Sequence, residues 1–413
     1  VFTEDAIRKT VQRALDLATQ SSRVSKGLVL APERGYIDTY RTPVQIDPLA
    51  LPLKDKVDLM MEVNKTMLCY EGIRVALFGI HSQTDHKLFG STLGSRLDIT
   101  TTFIDPYISA IAVTSEDSQA RTLQYEGGAY GWELIERMNL SVRAHQLAEE
   151  ALMKVHAGTL GPEERRTLII DPTNLGLTMH ESVGHPTELD RVLGWEADFA
   201  GISFATPEKL KTYRYGSDIV NFLGDNTLAG GLATAGYDDD GVPGQKWHIV
   251  KDGILNEYGT TRETAPLVGE TLSRGCNRAT YYYNTPINRI PNLYMEPGKN
   301  PLTPQDLIAD TEDGVYIEGL GSFSIDQHRV NFQFGGNLFY EIKNGKKTRM
   351  LKKILYKSNN PEFWNACDAI CDDRFFKTVN VCNCGKGQPQ QISRMTHGAS
   401  TARFRDIRVG GSQ

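Results

Sequence analysis

The chain has 413 residues, too many for one ordinary hydrophobic core, so two or three domains are expected. With 40% hydrophobic and 23% charged residues, the composition is that of a globular chain and excludes a disordered one. A formal net charge of −6 argues against a nonspecific nucleic-acid surface, and no apolar run approaches the length that spans a bilayer. Residues 3–20 read as an amphipathic helix, with Thr3 as N-cap, Glu4 and Asp5 in the first turn, and an apolar stripe of Ile7, Val11, Leu15 and Ala18. A proline-containing extended stretch follows to Pro48, and residues 54–69 return to helical spacing.

From Ile73 to Gln124 the pattern changes to short runs rich in Val, Ile, Thr and Phe, which predicts hairpins and an antiparallel sheet. Residues 132–156 form the longest predicted helix, with Gly158 as its C-cap. A short strand, Thr167 to Ile170, then leads through Asp171-Pro172 into a further helix. Residues 190–245 read as loops and short strands, and Asp238-Asp239-Asp240-Gly241 reads as an exposed acidic turn. Asp252-Gly253 and Asn344-Gly345 each mark a hairpin turn. Strands are expected over Gly314–Gly321, Arg329–Phe334, Asn337–Ile342, Lys346–Leu351 and Ala402–Val409. The fold class is therefore α+β, with antiparallel or mixed sheets, flanking helices and a strand-rich C-terminal domain carrying a metal-site helix. The expected divisions are residues 1–48, a helix and extended remnant of a first domain; 49–160, an α+β middle domain; and 161–413, the C-terminal domain.

The chemistry concentrates in that metal-site helix. His180, Glu181 and His185 form a His-Glu-x-x-x-His arrangement. Two imidazoles suit a borderline-soft cation such as zinc, and the carboxylate beside the first can take a proton from a hydrolytic water. On a regular helix, residues five apart point roughly 140° away from each other. The two histidines can share an ion only if the helix is bulged or broken between them. Gly184 tolerates such backbone, and Pro186 disfavours helix at His185.

A third ligand is needed, and His248, His328, a nearby acid or a cysteine can supply it. Four of the six cysteines, Cys367, Cys371, Cys382 and Cys384, lie close together near the C-terminus, and their spacing matches no common zinc or iron–sulfur pattern. Cys384 precedes Gly385 and Lys386; the glycine permits a tight turn and the lysine favours a thiolate. Tyr281, Tyr282, Tyr283, Arg289 and Tyr294 fall in an aromatic and amide-rich stretch that suits a peptide groove or a core cluster.

These segments, together with Asn292-Leu293-Tyr294-Met295-Glu296-Pro297-Gly298, the hairpin from Asn331 to Gly345, and the closing Val409-Gly410-Gly411, resemble the TldD/PmbA family, also called the modulator-of-DNA-gyrase family. The resemblance is to its TldD-like, zinc-protease branch. It implies a cytoplasmic metallopeptidase acting on unfolded or short peptides. It implies zinc held by His180, His185 and Cys384, and Glu181 as catalytic base. Pairing with a PmbA/TldE-like subunit, or a dimer of like chains, is also implied, as is an additional N-terminal segment ahead of the helix at 3–20.

A cysteine ligand makes zinc a weaker Lewis acid than a third imidazole would, so a modest rate is expected. Arg289, Tyr294 and His328 are the candidate substrate-binding residues, with His248 a further candidate oxyanion stabiliser. Two competing readings are a non-catalytic zinc-binding regulatory partner and hydrolysis of a non-peptide amide.

Overall fold

The computed structural model describes residues 3–25, 27–124, 126–199 and 201–411. Helix α1 (Glu4–Ser21) starts at Thr3, whose side chain accepts from Ala6 N, and it buries none of its residues. Strand β1 (Ile37–Arg41) lies within the extended stretch, and α2 (Leu53–Leu68) follows it.

Strands β2 (Ile73–Gly90) and β3 (Arg96–Val113) form one long antiparallel hairpin, in continuous register from Val75 opposite Ile111 to Gly90 opposite Arg96, with a slip between Ile73 and Val75. The polar breaks read between shorter strands do not interrupt it. Residues 81–86 stay paired although their side chains are polar. Pro106 falls between the stretch of β3 paired to β1, which ends at Thr100, and the stretch paired to β4 (Ser118–Leu123), which begins at Ile108, so its missing N–H breaks neither ladder.

The expected helix over 132–156 is two helices, α3 (Glu133–Arg137) and α4 (Leu140–Val155). The break is Asn139, in the left-handed region at φ 49°, a conformation asparagine tolerates better than most residues. Helix α4 ends at Val155, and Gly158 bridges instead to Leu351. Helices α2 and α4 cover the β2–β3–β4 sheet through a core that includes Met67, Ile104, Ile108, Leu147 and Ala151.

A second, larger core follows. Strand β5 (Glu164–Ile170) sits inside a nine-stranded sheet, parallel to Asp313–Glu318 and antiparallel to Ala402–Gly411. Asn344 and Gly345, both with positive φ, make the tight turn expected between Leu338–Lys343 and Lys346–Leu351. A six-stranded sheet runs in the order Lys377–Lys386, Gln391–Ala399, Leu293–Met295, Phe222–Asp225, Lys246–Lys251, Ile254–Leu255. Helix α5 (Pro172–Met179) leaves β5 and packs against Lys377–Lys386 and Gln391–Ala399. Gly176 allows that approach, since a Cβ there would lie 3.2 Å from Val379. The architecture is α+β, with mixed sheets and few helices.

Candidate metal centre

Helix α5 is anchored at both ends of its first turn. Asp171 caps it by accepting from Asn174 N, Pro172 occupies the first helical position, and Asp171 also accepts from Gly319 N at 3.0 Å. Leu175, Met179 and Val183 form a fully buried apolar stripe. The stripe beside it is polar and also buried: Asn174 donates to the Gly319 and Gly335 carbonyls, Thr178 meets the Tyr356 hydroxyl at 2.7 Å, and Ser182 accepts from the Trp364 indole at 3.1 Å. These bonds satisfy polar groups that would otherwise be costly to bury.

After Met179 the helix widens. Residues His180–Gly184 form a π-turn, in which His185 N donates to the His180 carbonyl five residues back. A short 3₁₀ turn, His185–Thr187, ends the segment. The widening stacks residue 185 over residue 180 and brings their rings to 4.7 Å between centroids. The Ser182 carbonyl, exposed by the bulge, accepts from the Tyr215 hydroxyl and the Asn360 amide.

Cys384 reaches this pair from the strand Lys377–Lys386. Ligand atoms of His180, His185 and Cys384 lie within 4.8 Å of one another, and all three residues are buried. This is the one group of three or more His, Cys, Asp or Glu ligand atoms so gathered among the described residues. Burial pushes both imidazoles below their usual pKa, against the opposing pull of nearby Glu181, Glu188 and Cys384, so their nitrogens stay neutral and available. Burial also works against a Cys384 thiolate, but the contact with His185 and the Arg289 guanidinium oppose it and hold the thiol below its usual value, and Arg289 is the charge that remains while the His185 ring is neutral. Arg289 supplies two of the contacts, Nη2 to Sγ at 3.2 Å and Nη2 to the Cys384 carbonyl at 2.5 Å.

Each histidine has a partner at Nδ1, which leaves Nε2 for an ion. His185 Nδ1 pairs with Glu188 Oε2 at 2.8 Å, and His180 Nδ1 meets His397 Nε2 at 2.8 Å. Burial holds His397 well below the usual imidazole value, so it is neutral and its Nε2 can accept a proton from His180. Glu188 is buried, yet Lys386, His185 and Arg191 overcome the desolvation and keep its carboxylate well below the usual range. Lys386, fully buried, donates to Asp190 at 2.6 Å and to the Asn288 carbonyl at 2.8 Å, and lies 3.3 Å from Glu188 Oε1. Its charge thus acts on Glu188, while Arg289 is the cation against the thiol. Two neutral imidazoles and a thiol biased toward thiolate, with both outward ring nitrogens engaged, fit tetrahedral zinc with one position open.

The other residues singled out in the sequence are spread around this cluster. Glu181 is buried beside His180 and bonded to Arg329. Arg289 lies under Cys384 rather than facing a substrate groove. Tyr294 is packed against Phe376 and Lys246, opposite Gly398, and so on the other face of the sheet from His397. His328 is exposed on a turn, and His248 sits near Glu296. Cys367 and Cys371 belong to the apolar cores, and Cys382 lies 3.4 Å from Asp105, so the four C-terminal cysteines do not gather. The acidic turn is not a solvent-exposed loop: Asp238 is buried and accepts from the backbone of Asp240, Val242 and Asn277. Tyr281, Tyr282 and Tyr283 are exposed, and Tyr283 lines a cleft of about 450 Å³ with Trp195, Phe199, Ile287 and Gly387.

Glu188, His397 and Arg329 are missed by sequence reasoning. Glu188 has a signal, since it is an acid three residues after a ligand histidine. The other two come from distant strands and turns, and nothing local marks them.

Residues 163–411 match the family model for the PmbA/TldA metallopeptidase C-terminal domain, and residues 46–157 the model for its central domain. A metalloprotease of Methanocaldococcus jannaschii is 29% identical over 392 residues, which is 94% of this chain and 81% of that one. A zinc metalloprotease TldD homolog of Saccharolobus solfataricus is 27% identical over 246 residues, covering 59% of this chain and 51% of its own length. The crystal structure of TldE from Thermococcus kodakarensis superposes with a TM-score of 0.73 at 15% identity, over 98% of this chain and 85% of that one, a likeness of fold. With family models spanning both cores, the chain belongs to the PmbA/TldD metallopeptidase family.

Proposed function

We propose that this chain is a zinc peptidase for short or unfolded peptides, with His180, His185 and Cys384 as metal ligands and Glu181 as general base. The convergence of the three ligand atoms within 4.8 Å, beside a buried carboxylate, carries the reading. A zinc ion held there supplies a Lewis acid for the scissile carbonyl and lowers the pKa of water toward about 7. Glu181 accepts the proton of the attacking water and returns it to the leaving amine. His397 and Glu188 fix the ring tautomers, and Arg289 biases Cys384 toward the thiolate. Burial of the whole cluster keeps bulk water away from these charges, which strengthens their action.

The substrate lies extended and is held through main-chain groups, so sequence preference is weak. The aromatic cleft at Trp195, Phe199 and Tyr283 receives its side chains. The active assembly is a homodimer or a pair with a PmbA/TldE-like subunit. The likeness of fold to TldE supports such a pairing. Six free cysteines suit the reducing cytoplasm. Among the described residues no helix is long and apolar enough to cross a membrane.

Glu181→Gln tests the reading. Zinc content should be unchanged while peptide cleavage falls by at least about 100-fold. Unchanged cleavage would remove Glu181 from the mechanism. A wild-type protein that cleaves nothing, alone or with its partner subunit, would favour a non-catalytic zinc-binding role.

A further inference from the structure

The turn Asp326–Arg329 carries a guanidinium to the carboxylate of Glu181. Nη1 of Arg329 donates to Glu181 Oε2 at 2.5 Å, and both side chains are largely buried. Arg329 holds φ at 62°, in the left-handed region. For a residue other than Gly, Asn or Asp that conformation is uncommon and strained, so it persists only where the surroundings enforce it.

The surroundings here do so from several sides. Arg329 N closes the turn on the Asp326 carbonyl, and the Asp326 carboxylate accepts from Val330 N, Asn331 N and the Asn331 amide. Ile202 N and Phe204 N donate to the Gln327 and His328 carbonyls. The Asn360 amide donates to the Arg329 carbonyl at 3.2 Å and also to the Ser182 carbonyl of the π-turn. One side chain therefore ties the backbone that carries the arginine to the backbone that carries Glu181.

We propose that Arg329 is a positioning residue for hydrolysis. It grips one oxygen of the Glu181 carboxylate and holds the other in the single orientation that serves the attacking water. A glutamate has three rotatable bonds, and an unrestrained carboxylate beside a metal can swing onto the ion and displace the water it should activate. A planar guanidinium bonded to one oxygen removes that freedom at little cost in entropy, because the fork is rigid. A misplacement of about 1 Å at such a site is enough to lose roughly 100-fold in rate. The task is distinct from that of Arg289, whose guanidinium addresses a ligand sulfur.

The inference rests on the peptidase reading for its kinetic consequence, though not for its structural one. In zinc-loaded protein, Arg329→Met should lower kcat by roughly 10–100-fold, with KM and zinc content within about threefold of wild type. Arg329→Lys should fall between the two, and added guanidinium ion should restore part of the Arg329→Met rate. In a Glu181→Gln background, Arg329→Met should cost nothing further, because its effect runs through the missing carboxylate. Crystal structures of Arg329→Met and Arg329→Lys give a readout apart from activity. Glu181 should be rotated or split between conformers in the methionine variant and single in the lysine variant.

An Arg329→Met enzyme with wild-type kcat, or with Glu181 unmoved, would overturn the proposal. So would a KM effect alone, which would make Arg329 a substrate-binding group. If Arg329→Met does not fold, a lysine variant with neither reduced kcat nor altered Glu181 also overturns it. If the wild type cleaves no peptide, the peptidase reading fails, and the crystallographic comparison still decides whether Arg329 orients Glu181.

Discussion

Cys382 and Cys384 are two residues apart on one strand, and on a regular strand both would face the same way. Their sulfurs diverge because the ladder between Lys377–Lys386 and Gln391–Ala399 slips between Val381 and Cys384. Val381 pairs with Met395 and Cys384 with Ser393, so two residues on one strand oppose one on the other. This bulge turns Cys384 toward His185, at 3.6 Å from Nε2, and leaves Cys382 against Asp105. Burial and the Asp105 carboxylate push the Cys382 thiol up, away from the thiolate a metal needs, whereas Cys384 is held low. Side-by-side metal analysis should therefore separate them. Cys384→Ala should weaken zinc binding by more than the roughly 10–100-fold typical of outer-shell changes. Cys382→Ala should retain full zinc content. Equal loss in both variants would remove Cys384 as the assigned ligand.

At the scale of the element, the π-turn determines whether two histidines five residues apart can share an ion. Its inner side is packed tightly, since a Cβ on Gly184 would lie 3.0 Å from two carbons of Ile290. Gly184→Ala should therefore destabilise the fold by about 1–3 kcal/mol, the usual range for overpacking, and weaken zinc binding with it. Ile290→Val in the same chain should recover part of both, measured by denaturant unfolding and chelator competition. No recovery would place the cause in the backbone and not in the packing.

The need for a bulge was legible before any coordinates, because spacing, Gly184 and Pro186 are local properties. The same locality let the sequence mark the Asp252-Gly253 and Asn344-Gly345 turns, where the backbone demands positive φ. What it did not reveal is decided between segments. The strand runs of β2 and β3 merged because their partners are in register through polar residues, and pairing is not a local signal. The helix over 132–156 broke because one asparagine adopts the left-handed region, which its apolar periodicity does not record. His397 met His180, and Arg329 met Glu181, through sheet and turn contacts more than a hundred residues away.

At the scale of the whole molecule, the metal strand rests on the other core. The β2–β3 hairpin touches the C-terminal sheets through Asp105 against Cys382, Lys87 with Asp239 at 2.6 Å, and Gln83 and Asp85 with Arg394. On the far side of that sheet, Arg121 joins the two cores. It is almost wholly buried, donating to Glu150 of α4 at 2.5 Å, to Glu318 of the nine-stranded sheet, and to Asn337 at 3.1 Å. The same Asn337 oxygen accepts from Thr122 N, so a single amide ties backbone and guanidinium together.

Removing one member of a buried ion group is worse than never having it, because the partners lose their counter-charge without regaining water. Arg121→Met keeps the aliphatic volume and removes the charge. It should cost about 3 kcal/mol in denaturant unfolding, toward the low end for buried pairs because Glu150 and Glu318 keep some solvent contact. Adding Glu318→Gln should return part of that loss, since it removes one carboxylate left without a cation. The loss should appear as earlier release of the β2–β3–β4 sheet, seen by hydrogen exchange in β4 and α4 before the nine-stranded sheet opens. Simultaneous exchange in both cores would mean that Arg121 stabilises the chain as one cooperative unit and not the β2–β3–β4 sheet alone.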